Sequence, residues 1–156
     1  MPETKSSTRT PVLARQRWMG ILARADLDQL ETAWSEMKPA PNYIFLRQPE
    51  IGLTMVQARA GNTGQRFNLG EITVTRCAVQ LENGQHGFGY VAGRNPRHAE
   101  LCAVFDALMK DEKTGRTLEQ RLIEPLARKQ SERRRAIQAK VAPTKVDFFT
   151  MVRGDE

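Results

Sequence analysis

Asn83-Gly84 constrains the fold more than any other pair in this chain, because it sits between two strand-like runs, "TVTRCAVQL" and "FGYVA". A two-residue hairpin turn needs left-handed backbone at its centre, and Asn-Gly is the sequence that supplies it most readily. Residues 69–81 and 85–92 are therefore predicted to pair as antiparallel strands. Upstream, "YIFLR" (43–47) and "IGLTMVQARA" (51–60) read as two more strands separated by a Gln48-Pro49-Glu50 turn. The loop "GNTGQR" leads from them into the long strand. The expectation is an antiparallel sheet of about four strands.

Helices flank this block. Thr10 followed by Pro11 reads as an N-cap and first-turn proline opening "VLARQRWMGILARA", with Leu13, Arg17, Gly20, Ile21 and Arg24 on neighbouring faces. Asp26 reads as the N-cap of a second helix that buries Leu27, Leu30, Trp34 and Met37, and "KPAP" ends it. After the sheet, Asn95-Pro96 caps a helix with the apolar stripe Leu101, Val104, Phe105 and Leu108. A long helix from Leu118 to about Val141 turns Leu122, Leu126, Ile137 and Val141 inward, and Pro125 must kink or restart it. The fold class expected is α+β: two N-terminal helices, the sheet, a helix, then a long basic C-terminal helix with an apolar tail. Residues 1–10 read as disordered and 11–156 as one domain, with a basic helical segment at 113–145 and a docking tail at 146–156.

The chain has 156 residues, enough to bury about two-thirds of its unfolded surface without a metal or disulfide. No apolar run approaches the roughly 20 residues a membrane span needs. A polar N-terminus without a signal-peptide core, and two cysteines in all, suit a cytoplasmic protein. The net charge is +6, yet residues 113–145 hold ten Lys or Arg against three Glu, so this segment carries more than the whole excess. That arrangement suggests a local surface for something acidic. Within it, Arg133, Arg134 and Arg135 could track a phosphate backbone, and a stand-alone RNA- or DNA-binding module is the competing reading. No aromatic residue lies between Lys113 and Asp147 to stack on bases, which favours a solvated or partner-docked helix face over nucleic acid. Phe148, Phe149 and Met151 in the tail suggest docking as well.

Gly87, Gly89 and Ala92 match the dinucleotide pattern G-x-G-x-x-A, but that loop must join a strand directly to a helix. Here the residues between the glycines are strand-like, so the glycines read as positions of close backbone approach. Cys77, His86, His98 and Cys102 are conceivable metal ligands, with His98 and Cys102 one helical turn apart. No C-x-x-C or H-x-x-x-H pair anchors them. No metal and no cofactor of its own are therefore expected, and the cysteines read as small buried hydrophobes. The best chemical signal is Arg94, Asn95, Arg97 and His98 at a helix start. There, free backbone N–H groups, the positive end of the helix dipole and two guanidinium groups favour a phosphate or carboxylate. Arg66 and Arg76 extend this candidate anion site from the sheet. The alternative is that Arg94 and Arg97 pair with Glu100 and Glu71 or face water. Glu71 and Glu100 are also conceivable as an acid and a base.

Four blocks together carry a resemblance: "RQRWMGILARA", "PEIGLTMVQARAGNTGQRFNLGEITVTRCAVQL", "GFGYVAGRNPRHAEL" and "VDFFTMVRGDE". They resemble the G subunit of the bacterial carbon-phosphorus lyase system for phosphonate breakdown, over nearly the whole chain past the first ten residues. The resemblance implies a subunit that acts with the H, I and L subunits as an α-D-ribose 1-methylphosphonate 5-triphosphate synthase, displacing adenine from MgATP with a phosphonate. It also implies a core complex of the G, H, I and J subunits, two copies of each, in which MgATP is a substrate. The resemblance assigns no catalytic residue to this chain. It implies instead that the basic helix meets an acidic partner surface and that Phe148 and Phe149 seat in a groove.

Overall fold

The computed structural model describes residues 9–59 and 64–141. The expectations for residues 1–8, for part of the 61–66 loop and for the tail with Phe148, Phe149 and Met151 lie outside the described residues. The order is α1 (Arg9–Leu22), α2 (Leu27–Glu36), β1 (Tyr43–Arg59), β2 (Arg66–Leu81), β3 (His86–Ala92), α3 (Pro96–Leu108), α4 (Glu112–Leu118), a π-helical turn (Glu119–Ile123) and α5 (Glu124–Val141). The class is α+β, as expected.

The sheet has three strands in the order β1-β2-β3, all antiparallel, rather than four. Residues 43–47 and 51–59 are one strand: the expected turn at Gln48-Pro49-Glu50 is a bulged stretch, with register shifts between Phe45 and Arg47 and between Arg47 and Glu50. Pro49 is tolerated because β1 lies at the sheet edge, where a missing N–H need not break a ladder bond. The hairpin after β2 forms where Asn-Gly places it, with Gly84 at φ 82° and the Asn83 side chain accepting from Gln85 N–H at 3.0 Å.

At the centre lies α3, in which all but one residue from His98 to Leu108 is buried, so it is covered on every side instead of presenting one stripe. Gly87 and Gly89 of β3 make this possible. A Cβ on Gly87 would lie 1.8 Å from the Ala103 carbonyl oxygen, and one on Gly89 would lie 1.9 Å from that of Ala99. Strand and helix thus touch backbone to backbone, which is the close approach read from the sequence. On the other sides pack Ile21, Leu22 and Ala25 around α1, Leu30 of α2, and Leu118, Leu122, Ile123 and Leu126. Leu13 of α1 is exposed. Leu27, Trp34 and Met37 join the core partly buried.

The C-terminal helical segment begins earlier than expected. Asp111 caps α4 by accepting from Thr114 N–H at 2.8 Å. Pro125, which lacks the N–H its turn requires, follows a π-helical turn in which Glu124 N–H bonds back to the Glu119 carbonyl. Leu122 and Leu126 are buried as expected, but Ile137 and Val141 are more than half exposed. Residues 131–141 of α5 are exposed throughout. No helix among the described residues is long and apolar enough to cross a membrane.

Candidate functional site

The corner between β3 and α3 is assembled around Thr75, a fully buried residue of β2. Its hydroxyl donates to the Gly93 carbonyl at 2.7 Å and accepts from Asn95 N–H at 3.0 Å. Asn95 then caps α3 by accepting from His98 N–H at 3.1 Å, and Pro96 opens the helix. The chain therefore presents Arg94, Arg97 and His98 at the position the sequence indicated.

Their side chains do not converge. Arg97 lies across Glu31 of α2, its Nε donating to Oε1 at 2.8 Å and its Nη2 to Oε2 at 3.1 Å. It also pairs with Glu100 at 3.1 Å and sits 5.9 Å from the centre of the Trp34 ring. Glu100 in turn accepts from the Tyr43 hydroxyl at 2.5 Å. The guanidinium is raised chiefly by the Glu31 hydrogen bond, and Glu31 is held below the usual carboxylate range by Arg97. Tyr43 is pushed up to about 12, first by burial and then by the hydrogen bond to Glu100. Arg97 is thus held by two carboxylates, one of which, Glu100, the sequence reading named.

His98 is buried, with Nε2 hydrogen-bonded to the Leu22 carbonyl at 2.9 Å, so it ties α3 to α1. Arg76 donates to Glu50, which also accepts from Arg47. Arg66 pairs across the sheet with Arg59 at the far end of β2, away from the corner. Arg94 is exposed and has no ion pair among the described residues. On α5, Arg133 and Arg134 line a groove of about 450 Å³ with Arg24, Gln130, Ile137 and Gln138, and Arg135 is exposed.

The cysteines are buried free thiols, and burial pushes Cys77 up to about 11 and Cys102 up to about 12. A thiol held that far above neutral pH is a poor nucleophile. Among the described residues no three His, Cys, Asp or Glu side chains come together as a metal would need.

Asp106 is the polar residue that sequence reasoning passed over. It is fully buried within α3 and accepts four hydrogen bonds. Arg15 Nε and Nη2 donate at 3.1 and 2.8 Å, Trp18 Nε1 at 3.0 Å, and the backbone N–H of Phe88 at 3.0 Å. Arg15 and Lys110 also lie 5.5 and 5.7 Å from the centre of the Phe88 ring. One carboxylate therefore joins α1, α3 and the outer edge of β3. The signal was present as a single acid in the otherwise apolar run "LCAVFDALM".

The arrangement is one of mutual satisfaction, in which most polar groups serve other parts of the chain. Comparison with known proteins agrees with a specific family. The family model described as phosphonate metabolism protein PhnG matches residues 13–154. The chain belongs to this family. It is also 40% identical over 156 residues, spanning all of this chain and 99% of the relative, to a protein of Rhizobium meliloti (strain 1021) named α-D-ribose 1-methylphosphonate 5-triphosphate synthase subunit PhnG.

Proposed function

We propose that the chain is a non-autonomous subunit of the carbon-phosphorus lyase core complex. It is required with the H, I and L subunits for transfer of the ribose triphosphate of MgATP to a phosphonate. In that reaction a phosphonate oxygen bonds to the anomeric carbon as the glycosidic bond to adenine breaks, and adenine leaves. The observation that carries the reading is 40% identity, end to end, with a relative named as a synthase subunit. The geometry supports it, because Arg97, His98, Arg76 and Asp106 hold the fold together. On this reading Arg94 and the arginines of α5 are left to meet carboxylates of the H, I or J subunits, two copies of each being present in the complex.

Deleting the coding sequence in the native host tests the role. Growth on methylphosphonate as sole phosphorus source should be lost and growth on inorganic phosphate kept. Undiminished growth on methylphosphonate would overturn the proposal.

A further inference from the structure

The sheet is far longer than the layer that covers it. β3 pairs only with residues 74–80 of β2, whereas β1 and β2 stay paired out to Arg59 and Arg66. Residues 53–59 and 66–73 therefore form a two-stranded ribbon that runs on for about 25 Å. No residue of β1 is fully buried, and burial in β2 begins only at Val74.

The ribbon is nevertheless apolar. Leu53 and Met55, with Ile51 at the ribbon's base, lie on one face beside their cross-strand partners Thr73, Glu71 and Thr75. This is the face that packs on α3 further along, since Thr75 also pairs with Val91 and Cys77 with Gly89. Val56, Ile72 and Phe67 lie on the opposite face, and Leu69 falls in the register shift between them. Leu53 and Leu69 are 65% and 66% exposed. A two-stranded ribbon is only marginally stable alone in water, and residues 51–58 hold no charge or proline to protect an open edge. Its outer end carries Arg59 directly opposite Arg66, a like-charged cross-strand pair that disfavours the ribbon unless an anion lies between them. No carboxylate among the described residues pairs with either, and Glu50 at the base is already shared by Arg47 and Arg76.

We infer that this ribbon is a docking arm that enters an apolar groove on a different polypeptide, whose carboxylates meet Arg59 and Arg66 at the groove's far end. A second copy fits less well, because each copy carries a net charge of +6. The inference rests on the proposed role as a subunit and identifies the element that makes the contact.

The test is co-expression with the H, I, J and L subunits, capture through a tag on one of them, and measurement of this chain's recovery. Two double variants are compared with the wild type: Leu53→Asp with Met55→Asp, and Arg59→Glu with Arg66→Glu. All four positions are exposed, so the variant chains should keep the wild-type unfolding temperature, checked on each purified chain. Recovery should fall about thirtyfold or more, as truncating buried interface anchors does. Wild-type recovery of both variants overturns the arm and leaves the subunit role standing. Failure of the wild-type chain itself to assemble overturns the subunit role and the arm with it. A dimer of the isolated wild-type chain in light scattering that the same substitutions dissolve also overturns the inference, since the occupant is then a second copy.

Discussion

Replacing Asp106 by Ala perturbs the joint on which three elements converge. The substitution leaves Trp18 Nε1–H and Phe88 N–H, both part-buried, without their acceptor, at about 1–3 kcal/mol for each orphaned donor. Arg15 adds less than a fully buried cation would, because its side chain is 35% exposed and can turn into water. The expected loss is about 4 kcal/mol, large against the 5–15 kcal/mol by which domains are typically stable. For a chain of this length each kcal/mol is roughly 2–4 °C, so the midpoint should fall by about 8–16 °C. Asp106→Asn keeps one acceptor oxygen but turns an NH2 toward a donor, and should cost about half as much. Urea unfolding followed by tryptophan fluorescence reads both, with unchanged slope as the check that the unfolded state is the same. A loss under about 1 kcal/mol for the alanine variant would refute the account of Asp106 as a structural joint.

Further outcomes follow from the same packing. Gly87→Ala and Gly89→Ala should each destabilise by about 2–3 kcal/mol or more, because the new methyl meets helix backbone. Gly52→Ala, with nothing within 4 Å, should change stability by less than about 0.5 kcal/mol in the same urea titration. Both thiols should resist a disulfide reagent in the native chain at pH 8 and react fully in denaturant, since burial raises Cys77 to about 11 and Cys102 to about 12. In alkaline titration followed by phenolate absorbance, Tyr43 should ionise near 12 in the wild type and lower in Glu100→Gln. Because its folded value is raised, the stability this phenol contributes is whole below about 10 and is lost as pH rises through about 12.

Local signals were the legible ones. Asn83-Gly84 placed its hairpin, Asn95-Pro96 placed the start of α3, and the helical spacing of Leu27, Leu30, Trp34 and Met37 named the inner face of α2. What the sequence hid was decided at long range. Pro49 reads as a turn, but an edge strand absorbs it as a bulge. Ile137 continues the helical period of Leu122 and Leu126, yet periodicity cannot tell where the covering elements stop. The partner of Arg97 proved to be Glu31, 66 positions away, besides the neighbouring Glu100. Alternation in "IGLTMVQA" looks the same whether a strand is covered or projects, so the arm emerges only from the unequal lengths of the pairings. Of the candidate anion site, the order of residues was legible and their engagement was not.

Phosphonate-dependent adenine release from MgATP, the release with methylphosphonate less that without it, is the measurement that bears most directly on the central claim. It is followed for the purified chain alone, for the H, I and L subunits together, and for the four combined. The account predicts no release from the first two and steady release from the third. Turnover by this chain alone, or equal release by the partners without it, would contradict it.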